Sequence, residues 1–122
     1  MDKAQAIDAF WNRFLPAYDE NTVPSDIKMP YITYSVATDS LGGFLSMTAS
    51  LWYRSDSWAE ISRKAEEIAE FIAKMNPPSI PLDNGRLYIS KGLPFAQRMS
   101  EPSDSAVRRI VLQINAEFLT AY

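Results

Sequence analysis

The sequence predicts an α+β fold, a mixed and mainly antiparallel β-sheet of four to five strands packed with two α-helices in the order α-β-β-α-β-β. Two segments carry apolar residues at the three- and four-residue spacing of a helix buried on one face. Other segments alternate apolar and polar residues, as strands do when one face meets water. The chain has 122 residues, 47% of them apolar, which suits a single domain spanning residues 1–122.

The first helix is predicted from a stripe of large apolar side chains near the start of the chain. They fall at positions i, i+3, i+4, i+7, i+8 and i+11, and are Ile7, Phe10, Trp11, Phe14, Leu15 and Tyr18. An interior proline removes a backbone hydrogen bond and kinks a helix. We therefore expect a bend or an end near Pro16, followed by an extended connector over residues 23–30.

A β-hairpin is predicted next. Residues 31–37 are rich in aromatic and β-branched side chains and follow a proline, which a strand tolerates at its start. Residues 38–43 end in two glycines and are expected to form the turn. In residues 44–53 one side of the strand is apolar and the other mostly hydroxyl-bearing. The apolar side consists of Leu45, Met47, Ala49, Leu51 and Tyr53.

The second helix is predicted over residues 57–75. Ser57 and Glu60 have the spacing of a capping box, in which each side chain accepts from the backbone amide of the other. Glu60–Lys64 and Glu70–Lys74 are spaced as i, i+4 ion pairs. The apolar stripe consists of Ile61, Ala65, Ile68, Ile72 and Met75. Residues 76–78 contain two prolines and are expected to stop the helix.

The C-terminal third is predicted to contain a short extended segment at 80–82, a turn at 83–85, a strand at 86–90 and a last strand at 106–117. Ile110, Leu112, Ile114, Ala116 and Phe118 alternate along that last strand. Residues 91–105 show no clear period, and we expect a loop of a length that is usually functional or disordered. The loop holds Leu93, Phe95 and Met99, which either fold onto their own domain or dock on another subunit.

Composition excludes several classes of function. The chain has no cysteine and no histidine, and its net charge is −3. Disulfides, thiolate chemistry, His-dependent triads and the usual transition-metal ligands are therefore ruled out. The charge does not favour general nucleic-acid binding, and no apolar run is long enough for a membrane span. The densest acidic cluster, within residues 66–70, lies on the solvent face of a helix. We expect a non-enzymatic protein without metal or cofactor.

The charged residues are unevenly distributed. Residues 1–28 contain five acids and three bases, whereas residues 79–113 contain three acids and five bases. The simpler interpretation is ordinary surface scatter. The alternative is that copies pack head to tail with opposite charges facing each other.

Two segments are the most distinctive, Pro30-Tyr31-Ile32-Thr33-Tyr34 and Leu93-Pro94-Phe95-Ala96-Gln97. Further characteristic segments are Leu51-Trp52-Tyr53 before the second helix, Leu87-Tyr88-Ile89, and Val107-Arg108-Arg109-Ile110-Val111-Leu112. In these segments and in its order of elements the chain resembles the small tail-terminator proteins of long-tailed bacteriophages and prophages, also described as tail-completion, head–tail joining or minor tail proteins.

The resemblance implies a homo-oligomeric ring, commonly of six subunits, that caps the tail tube, ends its polymerisation and meets the head connector. The implied partners are further copies of the chain, the tail-tube protein and a head-completion or connector protein. The implied location is the virion tail, after synthesis in the bacterial cytoplasm. The family has no catalytic residues. We expect the interfaces to use Leu93, Phe95, Met99, Trp52, Arg98, Arg108 and Arg109.

Two other functions are considered. One is a small-ligand or regulatory binding domain with a pocket between helix and sheet, lined by Tyr34, Trp52 and Tyr88. The other is a carboxylate-based hydrolase or nuclease, which is disfavoured because no pair of acids has a convincing spacing.

Overall fold

The computed structural model describes residues 1–37, 43–75 and 78–120. Each of its two helices is followed by three strands. The helices are α1 (Lys3–Asn12) and α2 (Ala59–Lys74). The strands are β1 (Ala17–Asp19), β2 (Tyr31–Ala37), β3 (Gly43–Arg54), β4 (Ser79–Leu82), β5 (Gly85–Met99) and β6 (Val107–Thr120). The turn predicted at 38–43 and the helix stop predicted at 76–78 lie largely outside the described residues.

All six strands form one sheet in the order β1-β2-β3-β6-β5-β4. The β1–β2 pair is parallel, and the other pairs are antiparallel. The predicted α+β class, the two helices and the mainly antiparallel mixed sheet are confirmed. The predicted count of four to five strands and the order α-β-β-α-β-β are wrong, because a third strand precedes α2 and a third follows it.

The strand that the prediction missed is β1. The helix α1 ends at Asn12, four residues before Pro16, and Tyr18 lies in a strand instead of continuing the helical stripe. The Pro16 carbonyl accepts from the Ile32 amide at 2.9 Å. The Asn12 side chain accepts from the Ala17 amide at 3.0 Å and donates to the Ala17 carbonyl at 3.3 Å. These bonds satisfy the backbone groups of Pro16 and Ala17 after the helix has ended. The chain therefore passes directly from the helix into the sheet.

The second correction concerns the predicted loop at 91–105, since β5 continues to Met99. Lys91 pairs with Ile114 and Ala96 with Leu112, so four residues of β5 oppose one residue of β6. This bulge shifts the side-chain alternation, which explains why the segment shows no period. At its start a Cβ on Gly92 would lie 2.9 Å from both Cβ and the carbonyl oxygen of Gln113. Glycine is therefore the residue that permits this close approach.

Both helices pack on one face of the sheet around a shared core. The helix α1 contacts β1 and β2 at one edge and β4 at the other, while α2 covers β3, β5 and β6. The sheet therefore curls around α1. Phe71 of α2 lies edge-on to Phe14 at 5.3 Å and tilted to Phe10 at 6.3 Å, which joins the two helices. The apolar series predicted for β3 and β6 is buried throughout, as are Ile61, Ala65, Ile68 and Ile72 of α2.

The start of α2 differs from the predicted capping box. The helix begins at Ala59, and the Ser57 hydroxyl accepts from the Ala59 amide at 3.0 Å instead of from Glu60. The N-cap is Trp58, one residue after the predicted N-cap Ser57, and its side chain forms no cap hydrogen bond. The capping box of this fold is at α1, between Asp2 and Gln5.

Of the two predicted ion pairs in α2, Glu70–Lys74 is present at 3.7 Å. Lys64 instead pairs with Glu67 at 3.1 Å. Both pairs lie on the solvent side of the helix, where such contacts contribute about 0.3–0.5 kcal/mol.

One partly buried hydrogen bond joins α1 to the sheet. The Tyr34 hydroxyl donates to Oδ1 of Asp8 at 2.8 Å. Burial raises the pKa of Tyr34 most, and the bond to Asp8 and the charges of Asp8 and Asp19 raise it further. The neutral phenol is therefore the form that the fold stabilises.

We expect Tyr34→Phe to lower the free energy of unfolding by about 1 kcal/mol near neutral pH, because one hydrogen bond is lost. The folded pKa exceeds the unfolded value of about 10. The contribution of Tyr34 is thus complete below pH 10 and is lost as the pH rises through the folded pKa. Urea unfolding at pH 8 and pH 11 should show the wild-type advantage shrinking. An advantage that is unchanged or larger at pH 11 would contradict this assignment.

We expect Gly92→Ala to destabilise the chain by about 1–3 kcal/mol, the usual cost of overpacking, since the new Cβ meets backbone atoms that cannot rotate away. Urea unfolding measures the loss, with Ser90→Ala on the same strand as the matched control, where Ser90 is exposed. Equal stability of the two variants would contradict the close packing at the bulge.

Candidate interaction surface

The face of the sheet that points away from both helices, called here the outer face, carries mostly short polar side chains. Alternation places there the residues between the buried ones on β2, β3 and β6. The outer-face polar residues include Thr33, Ser35, Ser46, Thr48, Gln113 and Asn115. Ser35 and Thr48 hydrogen-bond across the strands at 3.1 Å. Hydroxyl and amide side chains of this kind suit hydrogen bonding to water or to another protein surface.

At one end of the outer face, side chains stack in a row across four strands. Tyr31, Trp52 and Arg109 lie directly opposite one another on β2, β3 and β6. The Tyr31 and Trp52 rings are stacked at 6.3 Å, and the Arg109 guanidinium lies 4.8 Å from the Trp52 ring centre. Tyr18 on β1 extends the row, with its ring 6.4 Å from that of Tyr31. We call these four residues the aromatic row.

Two members of the aromatic row, Trp52 and Arg109, form polar contacts within the chain. Trp52 Nε1 donates to the Thr33 hydroxyl at 2.9 Å. Arg109 Nε donates to the Ser50 hydroxyl at 3.1 Å, and its Nη1 is 3.5 Å from Oε1 of Glu101. Trp52, one of the expected interface residues, is thus flanked by Tyr31 and Arg109 of its own sheet.

Arg98 and Arg108 lie on the helix side of the molecule, around Trp58. Their guanidinium carbons are 4.9 and 5.4 Å from the Trp58 ring centre. Arg108 Nη1 donates to the Ser105 carbonyl at 2.7 Å, while its buried Nε has no partner among the described residues. Arg108 and Arg109 therefore face opposite sides of the sheet, and the seven expected interface residues do not form one patch.

The bulge of β5 separates the three apolar residues that the sequence placed in a loop. Phe95 is half-buried against the core, and Met99 lies opposite Arg109 on the outer face. The Leu93 side chain is 97% exposed. Phe95 therefore packs onto its own domain, and Leu93 is the apolar residue of this segment that remains available to another surface.

A second apolar feature lies at the opposite end of the outer face from the aromatic row. Phe44 of β3 is 79% exposed and Leu119 of β6 is 52% exposed. Phe44, Tyr88, Ile89, Ala116 and Glu117 line a shallow concavity of about 260 Å³. Neither Phe44 nor Leu119 is among the interface residues expected from the sequence. Both belong to the outward-facing series of residues on their strands. The alternation of apolar and polar residues along β3 and β6 is therefore the sequence signal that could have identified them as exposed.

The pocket predicted between helix and sheet is not assembled from the three residues named for it. Tyr34 is buried on the helix side and bonded to Asp8. Trp52 lies in the aromatic row, and Tyr88 lines the concavity near Phe44. Strand alternation therefore places Tyr34 on the opposite face from the other two residues.

The acids of residues 79–113 are all engaged in ion pairs. The pairs are Asp83 with the Met1 ammonium, Glu101 with Arg109, and Asp104 with Arg54. A hydrogen bond from the Ala106 amide, and then the bond from Arg54, hold the pKa of Asp104 below its usual value. None of the ion pairs among the described residues includes Lys91, Arg98 or Arg108. The basic character of this segment is therefore concentrated on β5 and the start of β6.

Across residues 1–37, 43–75 and 78–120, no three His, Cys, Asp or Glu side chains are close enough together to hold a metal ion. In the same part of the chain, no helix is both long and apolar enough to cross a membrane. The chain matches no protein-family model and no curated protein sequence.

We expect Trp52 and Arg109 to be energetically coupled. A double-mutant cycle with Trp52→Leu and Arg109→Met should give a coupling of about 0.5–1 kcal/mol in urea unfolding, the range for an exposed cation–π contact. Arg86→Met is the control partner, because Arg86 lies at the other end of β5 and bonds to Ser79. Additivity in the Trp52–Arg109 cycle would show that the stacking contributes nothing.

Proposed function

We propose that this chain is a non-enzymatic structural protein that assembles with copies of itself into a ring, as the tail-terminator proteins it resembles do. The observation that carries the proposal is a set of three large apolar side chains that are exposed on or beside the outer face. Phe44 and Leu119 are more than half exposed, and Leu93 is almost fully exposed.

Phe44 and Leu119 are not scattered singly over the surface. Phe44 pairs in register with Glu117, and Leu119 is the next outward residue on the same strand. Tyr88 lies across Glu117 on β5. Isolated exposed apolar residues are normal on monomeric proteins, whereas contiguous groups rimmed by polar residues are typical of interaction sites. The polar outer face provides such a rim.

The resemblance supports the particular assembly. Its element order is a helix, a hairpin, a second helix and further strands, and all of these elements are present. In the proposed role the ring caps the tail tube, ends its polymerisation and presents a surface to the head connector. The tail-tube protein and the connector are then the partners, and the protein resides in the virion tail after synthesis in the bacterial cytoplasm.

The proposal is tested by the mass of the purified chain in solution, measured by light scattering from micromolar to near-millimolar concentration. We expect a discrete oligomer, with six copies the commonest closed ring, because exposed apolar surface favours association. Negative-stain images should show rings. A chain that stays monomeric throughout, with no ring when tail-tube protein is added, would contradict the proposed function.

A further inference from the structure

We infer that Leu93 of one copy inserts into the concavity lined by Phe44, Tyr88 and Ala116 of another copy, and that Lys91 of the first meets Glu117 of the second. This inference rests on the proposed self-assembly and names the contact that performs it. We call the Leu93 side the knob and the concavity the socket.

The knob is held in place by its neighbours. Gly92 is buried against the backbone of Gln113, and Phe95 is packed on the core. Leu93 lies between these two anchored positions with 97% of its surface exposed. A side chain presented from a fixed backbone loses little conformational entropy on binding, so its burial contributes most of its apolar area to affinity.

The socket is an apolar hollow with one charged wall. Phe44, Glu117 and Tyr88 lie in one row across β3, β6 and β5. Ile89 and Ala116 line the same concavity, whose volume is about 260 Å³. A branched aliphatic side chain suits this combination of aromatic walls and apolar lining.

Charge complementarity favours a second copy as the occupant. Lys91 is exposed, two residues before the knob, and Glu117 is half-buried in the socket wall. Neither residue is in an ion pair among the described residues. A leucine flanked by a free cation thus meets an apolar hollow flanked by a free carboxylate. Opposite charges placed in this way set the register of an interface and reject wrong partners.

Every copy carries both the knob and the socket, so one type of contact suffices for assembly. Used from each subunit to the next, this contact closes a ring, whereas a reciprocal two-fold pair would stop at a dimer and contradict the proposed ring. The mass of the wild-type oligomer distinguishes a ring from a dimer.

The test is a charge exchange between the two residues. Lys91→Glu and Glu117→Lys alone place like charges together, and each should weaken self-association by about tenfold or more. An equimolar mixture of the two variants, and the double variant Lys91→Glu/Glu117→Lys, should recover it. Leu93→Asp should abolish assembly in every background. Arg63→Glu and Asp56→Lys are matched controls, because both residues are exposed on or near α2, and they should assemble as wild type.

Urea unfolding of each variant separates loss of assembly from loss of folding. A wild-type oligomer that persists in Leu93→Asp and in both single charge variants would overturn the inference while leaving the proposed function standing. A wild-type chain that is monomeric at every concentration and forms no ring when tail-tube protein is added would overturn the proposed function itself. If the monomer binds tail-tube protein and Leu93→Asp abolishes the binding, the knob serves that partner and the second-copy assignment is wrong.

Discussion

The packing of α1 inside the curled sheet is the constraint on which the rest of the fold depends. The helix touches β1 and β2 at one edge and β4 at the other, so removing it would leave both edges of the sheet without cover on that face. Trp11 is completely buried there although its indole N–H has no partner among the described residues. An unsatisfied buried donor costs about 1–3 kcal/mol, whereas burying an aromatic of this size contributes about 4–6 kcal/mol. Burial of Trp11 is therefore favourable in spite of the unsatisfied donor.

Because both helices lie on one face, the sheet has two chemically different sides. On β3 and β6 the inward residues are apolar without exception from Leu45 to Tyr53 and from Ile110 to Phe118. The outward residues form a mostly polar surface that lies between the aromatic row and the end of the sheet that carries Phe44 and Leu119. The side chains of the aromatic row contact one another, which makes the row a stabilising feature of the sheet. Among the described residues no ring contact is formed by Phe44, Leu119 or Leu93, and the proposed interfaces lie there.

Periodicity was sufficient to predict the parts of the fold that extend over many residues. The inward series of β3 and β6 and the buried stripe of α2 follow directly from alternation and helical spacing. β1 was missed because three residues show no period, and its formation depends on pairing with β2 and on the Asn12 side chain. The second half of β5 was missed because the bulge after Lys91 breaks the alternation. The aromatic row depends on the register of Tyr31, Trp52 and Arg109 between strands, which no single segment encodes.

The Asn12 amide has a consequence for how sheets of this protein can grow. An edge strand normally offers a row of unpaired backbone groups to which another chain can add. At β1 the outward amide and carbonyl of Ala17 are occupied by Asn12, and the Asp19 carbonyl accepts from the Thr22 amide. Continuous edge-to-edge growth of a sheet from one molecule to the next needs a free edge strand on both sides of every molecule. With this edge closed by the Asn12 side chain, the fold is protected against the addition of another strand at β1.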